Sequence, residues 1–337
     1  MRRRRPQTLV AMGNGVARQI LTEPVQARLR RLVDVDPHLV ATDLLNDQVR
    51  PALTEAEVLL TSWGCPRLST EVLAAAPRLR AVVHAAGSVK PHITDACWER
   101  GIQVSSAASA NAVPVAEYTV AAILFANKHV LEIAGDYQRS REWVDWTALY
   151  PGLGNYRKTV GIIGASRVGR RVMALLKPFD MHVYLADPYV SNDEARALGA
   201  QLTTLDDLVA SSDVVSLHAP ALPDTYHLIG ADELARMRDG AVLINTARPS
   251  LVDQKALTKE LETGRLRAVL DVTEPEPLPA DSSLFDMPNV LITPHIAGSL
   301  GDEVSRMAES ALEELDRYTR GLPFAHPVTP DDLARSA

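Results

Sequence analysis

The sequence predicts an α/β protein of two doubly wound parallel-sheet domains, on three observations. Its 337 residues are about twice the roughly 150 of an average domain, enough to bury a substantial core without covalent staples. Short β-branched runs alternate with helical stretches along the chain, the pattern of strand-helix-strand units and hence of parallel sheets. The runs in the second half are nearly continuous in hydrophobicity instead of alternating, which says that both faces of that sheet are covered.

In chain order, the first group of expected strands is Leu9 to Met12, Leu39 to Leu44, Val58 to Trp63, Leu79 to Ala86 and Ile102 to Ala107. A helix is expected from Val115 to Val130, with Pro114 before it and Glu117 in its first turn as start signals, and it is read as the link between the domains. The segment from Trp143 to Arg157 holds aromatics, Pro151, Gly152, Gly154 and Asn155 and reads as a loop. Trp143, Trp146 and Tyr150 are expected to anchor it rather than to wall a pocket. The second group of strands is Thr159 to Gly164, His182 to Asp187, Val214 to Ala219, Ala241 to Thr246, Arg267 to Val272 and Val290 to Pro294. A closing helix from Asp302 to Tyr318 is stopped by Gly321-Leu322-Pro323. Periodicity does not say where that helix packs.

Composition excludes several classes of function. Lys+Arg 35 against Asp+Glu 42 leaves a net charge of −7 on a chain that is 46% hydrophobic, an ordinary globular balance that rules out a disordered or collagen-like chain. An acidic protein is a poor match for a dedicated nucleic-acid binder, whose phosphate contacts need a basic face. The dense basic run Arg2 to Arg5 reads as a solvated tail, and the apolar stretch behind it, Leu9 to Met12, falls short of the roughly 7 to 15 residues of a signal-peptide core. The best membrane candidate, Val120 to Ala134, is broken by Asn127, Lys128, His129 and Glu132 before the roughly 18 clean residues of a span, so it is read as a long buried helix. Two cysteines, Cys65 and Cys97, give no sign of an oxidising compartment, and cytoplasm is the expected location.

The run Thr159 to Ile163 leads into Gly164-Ala165-Ser166-Arg167-Val168-Gly169 and then an apolar-periodic helix through Val172, Leu175 and Leu176. In that strand-turn-helix context a dinucleotide pyrophosphate sits on the helix N-terminus, held by backbone N–H groups and the positive end of the helix dipole. The next strand ends in Asp187, 18 residues beyond Gly169, where a carboxylate accepts from ribose hydroxyls and repels a 2′-phosphate. NAD(H) is therefore expected over NADP(H). Ser166 stands where the middle glycine would be; either its hydroxyl bonds a phosphate or its bulk pushes the cofactor outward. The glycine pattern alone is equally a mere turn, and Asp187 beside Pro188 also fits an ordinary turn; strand, helix and distal Asp together favour the cofactor.

Three further strands end in chemically active residues, and in open α/β sheets the carboxyl ends meet the ligand. They deliver Thr246-Ala247-Arg248, then Asp271 with Glu274-Pro275-Glu276-Pro277, then Pro294-His295. Removing hydride from a secondary alcohol needs a base for the hydroxyl proton, a role that suits histidine. A neighbouring carboxylate orients an imidazole, and a guanidinium holds a carboxylate with two prongs. Taken singly, each such residue is more often a surface or packing group.

The ordered motifs Asn111-Ala112-Val113-Pro114-Val115-Ala116-Glu117, the glycine turn, Leu217-His218-Ala219-Pro220, Ile244-Asn245-Thr246-Ala247-Arg248, Leu270-Asp271-Val272, Glu274-Pro275-Glu276-Pro277 and Thr293-Pro294-His295 resemble the D-isomer-specific 2-hydroxyacid dehydrogenase family, which includes phosphoglycerate dehydrogenases and glyoxylate/hydroxypyruvate reductases. The resemblance runs from about Leu79 to Gly298. It implies an NAD-binding Rossmann domain, residues 111–299, inserted into a flavodoxin-like substrate domain made of residues 1–110 and 300–337. It implies hydride transfer between NAD(H) and a 2-hydroxy or 2-keto acid, with His295 as acid/base, Glu276 as its partner and Arg248 on the substrate carboxylate and carbonyl oxygen. Asp271 would hold the nicotinamide carboxamide. Gly164, Ser166, Arg167, Val168, Gly169, Asp187, His218, Pro220, Thr225, Thr246, Ala247 and Gly298 would complete the cofactor site. Backbone N–H groups of Ser88 and Val89, after Gly87, would grip the substrate carboxylate, and closure between domains would exclude water.

The family is usually dimeric, with Val115 to Val130 and the arm after it as the expected interface of a homodimer. No metal is expected: the remaining histidines show no ligand spacing, and among them only His84, whose strand leads to the Gly87 turn, is singled out. Two departures from the pattern bear on substrate identity: Pro91 stands near a usual Asp, and Pro249 follows Arg248 where glycine is usual. Proline there biases Arg248 toward extended backbone and removes one N–H. The main alternative is a non-catalytic NAD-sensing interaction protein, resembling the corepressor branch of this fold, which keeps the same trio; the absence of extended partner-binding tails argues against it. A formate enzyme resembles the pattern with Gln in place of Glu276, and a methyltransferase with a similar glycine turn would leave Arg248, Glu276 and His295 unexplained.

Overall fold

The computed structural model describes residues 5–335. Of the basic run, Arg2, Arg3 and Arg4 lie outside the described residues. Arg5 is exposed but tethered: its guanidinium donates to the carbonyls of Arg30 and Val33, 2.5 and 3.0 Å away.

Five strands open the chain, β1 (Thr8–Ala11), β2 (Val40–Ala41), β3 (Val58–Thr61), β4 (Ala81–His84) and β5 (Gln103–Ser106). Between them lie α1 (Asn14–Ile20), α2 (Glu23–Leu32), α3 (Arg50–Glu55), α4 (Thr70–Ala75) and α5 (Asp95–Glu99). Three helices follow, α6 (Ala108–Asn127), α7 (Val130–Ser140) and α8 (Trp146–Leu149). The next stretch alternates β6 (Thr159–Ile163), α9 (Arg167–Leu176), β7 (His182–Ala186), α10 (Asn192–Leu198), β8 (Gln201–Leu202), α11 (Leu205–Ser211) and β9 (Val214–Leu217). It continues with α12 (Ala231–Arg236), β10 (Val242–Asn245), α13 (Gln254–Glu262), β11 (Arg267–Leu270) and β12 (Val290–Ile292). The chain closes with α14 (Val304–Thr319), β13 (Pro327–Val328) and α15 (Pro330–Arg335).

Two compact units result: the segment through Ala112 joins the segment from Ser299 onward, and Val113–Gly298 forms the other. The division falls there rather than at 110/111 and 299/300. Ser299 goes with the first unit because its N–H donates to Asn111 Oδ1 at 2.9 Å.

Among the described residues the first unit holds a six-stranded sheet in the order β13-β5-β4-β3-β1-β2. Its pairs are parallel except β13 against β5. Without the antiparallel edge this is the 2-1-3-4-5 order of flavodoxin-like sheets. The period-two alternation of side chains sends Val10, Val58, Leu60 and Val83 to one face and Leu9, Leu59 and Val82 to the other, and both faces are buried. The closing helix α14 lays Met307, Ala311, Leu312 and Leu315 on the first face, beside α1, α2 and β4. Each such Leu or Met contributes about 1.5–3 kcal/mol of burial.

The second unit holds a seven-stranded, all-parallel sheet in the order β12-β11-β10-β9-β6-β7-β8. From β8 this reads 3-2-1-4-5-6 with one further strand, the Rossmann order. Strand order reverses between β6 and β9, so their carboxyl ends flank the crevice where such sheets take ligands. Helices α11, α12 and α13 bury Leu208, Leu234, Leu257 and Leu261 on one face; α6, α9 and α10 bury Ile123, Val172, Met173 and Ala195 on the other.

Helix α6 departs from expectation at both ends. It begins at Ala108 and carries Pro114 in its interior, although proline removes one ladder bond. The ladder has already started upstream, with Asn111 N–H on Ala107 C=O at 2.9 Å, and the alanine-rich run before Pro114 favours helix. It ends at Asn127 because His129 turns into the left-handed region at φ 49°. Nor is it buried all round: Ala116, Thr119, Ile123 and Asn127 form one buried stripe, while Phe125 is 53% exposed. By length and composition α6 could cross a membrane, but its stripe packs with Ile162 and Val172 in the core of the second unit.

Candidate active site

The turn between β6 and α9 is built by close packing. Gly164 has φ +94°, and a Cβ there would lie 2.6 Å from the backbone N of Ala219. A Cβ on Gly169 would lie 2.1 Å from Gly164 O, so helix and strand meet at a distance only glycine allows. Ser166 is the N-cap of α9, its Oγ accepting from Gly169 N–H at 3.3 Å, which leaves the hydroxyl proton to be donated. Arg167 and Val168 form the first turn of α9.

Asp187, just past β7, accepts from Ala165 N–H at 2.7 Å and from Tyr189 N–H at 2.8 Å. The carboxylate therefore pins the glycine turn as well as its own, and the turn and cofactor readings of this residue are compatible. His218 lies 3% exposed beneath the turn, with Nε2 2.9 Å from Ser216 Oγ. Burial drives its pKa down to about 3. Its imidazole is thus a neutral group packed beneath the turn. Thr225 donates to Pro220 C=O at 2.6 Å and accepts from Leu222 N–H at 2.9 Å, closing that loop.

At the end of β10, Thr246 is buried with its hydroxyl 2.9 Å from that of Thr119 on α6, and Ala247 N–H donates to Asn245 Oδ1 at 3.1 Å. Arg248 is extended, φ −143° and ψ 143°, as a residue before proline should be. Its carbonyl accepts from Asn245 Nδ2 at 2.9 Å and its guanidinium donates to Ala247 C=O at 2.7 Å. Burial lowers the Arg248 pKa while the nearby Glu276 carboxylate raises it, which places the two charges within electrostatic reach. Arginine stays charged throughout.

The His295 Nδ1 lies 2.8 Å from Glu276 Oε1, with both side chains about half exposed, 50% and 42%. An ionised carboxylate only accepts, so Nδ1 carries the proton and Nε2 is the nitrogen not engaged by Glu276. His295 holds φ 56°, and its N–H donates to the carbonyls of Asp271 and Thr293, both at 2.9 Å. Asp271 is 2% exposed. Its carboxylate accepts from Thr293 Oγ1, Ile296 N and Ala297 N, so its first task is to hold the loop that carries His295. Gly298 closes that loop at the unit boundary.

In the first unit, the segment after β4 carries Gly87, Ser88 and Val89. Ser88 and Val89 N–H groups make no backbone hydrogen bond among the described residues. His84 at the strand end is 1% exposed, bonded through Nδ1 to Thr61 Oγ1 at 2.8 Å, with its ring 5.2 Å from that of His92. Burial first, and then His92, lower its pKa to about 3.

Of the three expected anchors, Trp146 stands edge-on to Tyr137 at 6.4 Å and Tyr150 donates to Asp136 at 2.5 Å, but Trp143 is 83% exposed and anchors nothing. No group of three metal-binding side chains occurs among the described residues. Sequence reasoning missed the roles of Tyr118, Thr119 and Thr293. Thr293 stands inside a quoted motif, whereas nothing local marks the α6 residues.

A family model described as "D-isomer specific 2-hydroxyacid dehydrogenase, NAD binding domain" matches residues 120–297. The chain is 35% identical over 303 residues to a glyoxylate reductase of Korarchaeum cryptofilum, covering 87% of this chain and 90% of that one. It is 31% identical over 305 residues to a D-3-phosphoglycerate dehydrogenase of Methanocaldococcus jannaschii, covering 90% of this chain and 57% of the relative. The chain spans about half the length of the phosphoglycerate dehydrogenases it matches. A D-lactate dehydrogenase of Aquifex aeolicus, solved with NAD and lactic acid, is similar in structure with a TM-score of 0.73 at 27% identity over 93% of this chain and 96% of that one. The fold and the family match define an NAD-binding class of protein. The chain belongs to the D-isomer-specific 2-hydroxyacid dehydrogenase family, with residues 120–297 in its NAD-binding domain.

Proposed function

We propose that the protein interconverts a D-2-hydroxy acid and its 2-keto acid with NAD(H). The observation that carries this is the 2.8 Å His295–Glu276 pair beside the partly buried, charged Arg248. When bound, NADH supplies the hydride for reduction and NAD takes it up in oxidation. The N–H groups at the start of α9 would hold the pyrophosphate. Asp187, already fixed by two backbone N–H donors, would accept from the ribose hydroxyls and disfavour the 2′-phosphate of NADP.

For reduction, His295 gives the Nε2 proton to the carbonyl oxygen as hydride arrives at its carbon; for oxidation, neutral Nε2 takes the hydroxyl proton. Glu276 keeps Nδ1 protonated and the ring oriented in both directions. Arg248 pairs with the substrate carboxylate. A panel of glyoxylate, hydroxypyruvate, pyruvate, phenylpyruvate and branched 2-keto acids, followed by NADH absorbance, tests the reading. At least one is expected to turn over to a product of D configuration; NADH binding without turnover on any would favour the sensing alternative.

The partner expected at α6 is a second copy of the chain. A groove of ≈ 320 Å³ runs beside it, with Phe125 and Leu131 about half exposed, and the arm behind adds exposed Tyr137, Trp143 and Leu149. Apolar surface of this kind marks an association face. Sedimentation should give a dimer, and a monomer at micromolar concentration would refute it.

A further inference from the structure

The carboxylate of Asp271 accepts three hydrogen bonds, all from the segment after β12: Oδ1 from the Thr293 hydroxyl at 2.7 Å and Ile296 N–H at 2.8 Å, Oδ2 from Ala297 N–H at 2.9 Å. A carboxylate cannot donate, so the Thr293 hydroxyl gives its one proton to Asp271 and its oxygen is left to accept. The Tyr118 hydroxyl lies 2.8 Å from that oxygen, and it must therefore be the donor. The result is a chain of one direction, from Tyr118 on α6 through Thr293 to Asp271 at the end of β11. Tyr118 and Thr293 are both half-buried, and burial, the leading cause, raises the Tyr118 pKa above its usual value, so the donor keeps its proton at working pH.

We propose that Thr293 and Tyr118 are positioning residues that set the His295 imidazole by fixing Asp271 against the loop that carries it. The inference rests on the reading of His295 as the acid/base. His295 holds a left-handed backbone, φ 56°, which a residue with a Cβ keeps only where its surroundings over-determine it. The determinants are here: His295 N–H is bonded to the carbonyls of Asp271 and Thr293, while the next two N–H groups are bonded to the Asp271 carboxylate. A carboxylate offers about four acceptor sites. Three are in use, and one remains for the carboxamide that the family resemblance assigns to Asp271. Loss of the Thr293 hydroxyl would let the carboxylate turn and the loop relax, lengthening the His295–Glu276 contact without touching cofactor or substrate directly.

The test compares Thr293→Val, which keeps the shape without the hydroxyl, with Thr293→Ser, which keeps the hydroxyl, and with Tyr118→Phe. Misplacement of an acid/base group by about an ångström costs on the order of 10²-fold in rate. Accordingly, kcat should fall roughly 10- to 100-fold in Thr293→Val, with KM for the keto acid unchanged and any rise in the NADH Kd from fluorescence far smaller than the fall in kcat. Thr293→Ser should restore kcat to near wild type, and Tyr118→Phe should fall between. Wild-type kcat in Thr293→Val, equal impairment in Thr293→Ser, or a loss explained wholly by weaker NADH binding would overturn the proposal. A second readout needs no turnover. The proton NMR signal of His295 Nδ1–H, identified by its disappearance in His295→Asn, should be seen downfield in wild type and Thr293→Ser and be lost or moved in Thr293→Val. An inactive wild type would refute the proposed reaction, yet this signal would still decide whether Thr293 positions His295.

Discussion

The two units share a plan of parallel strands covered on both faces, yet they treat the carboxyl ends of their strands differently. In the first, the turn after β4 is open: a Cβ on Gly87 would meet only Asn111 Nδ2, at 3.4 Å. In the second, the turn after β6 is closed around Gly164 and Gly169, where a Cβ has no room. Both units carry a buried histidine at or just past a strand end, His84 and His218, each held near a pKa of 3 by burial. His295, by contrast with these two, is half exposed and faces a carboxylate. Residue type does not separate these histidines; exposure and partner do.

The largest effect should come from filling the closed turn. Gly169→Ala must displace the Gly164 carbonyl, and overpacking of this kind costs about 1–3 kcal/mol or more. A drop in Tm of several degrees is expected by calorimetry, with weaker NADH binding. Gly87→Ala should change stability by less than about 0.5 kcal/mol. Equal Tm values for the two variants would erase the contrast between the turns.

A smaller effect sharpens the likeness of the two buried histidines. Their folded pKa values lie below the ordinary 6.5 of the unfolded chain. Their contribution to stability is therefore complete above pH 6.5 and is lost as pH falls toward 3, because the unfolded state then binds more protons. Each should add a slope of about 1.4 kcal/mol per pH unit within that window. Urea unfolding at a series of pH values should show His84→Asn and His218→Asn each flattening the slope relative to wild type. A variant with the wild-type slope would mean that its histidine is protonated without cost in the fold.

Much of the molecule was legible because the physics involved is local or periodic. Apolar runs such as Val214 to Ala219 announce strands buried on two faces, and the glycine turn with Asp187 marks the switch-point crevice. Arg248, Glu276 and His295 stand at strand ends in order, and the structure brings the last two within 2.8 Å. What escaped was either too short or too distant. Strands β8 and β13 have two residues each, less than a period can reveal. Helix α6 runs through Pro114 because its ladder starts earlier, against a rule that usually stops helices. The bond from Tyr118 to Thr293 spans 175 positions, and only the fold places one beside the other. Asp271 was assigned to cofactor alone, because a carboxylate's commitments to backbone N–H groups cannot be seen in a sequence.

The central claim is that the His295–Glu276 pair moves the proton that accompanies hydride transfer. The direct measurement is single-turnover reduction by His295→Asn on the best keto acid of the panel, alongside its NADH affinity. Asparagine keeps a polar side chain of similar reach but has no transferable proton at neutral pH. The account predicts unchanged NADH binding with a rate lowered by roughly 10²- to 10⁴-fold, the scale of general acid–base catalysis. Near-wild-type turnover in that variant would contradict it.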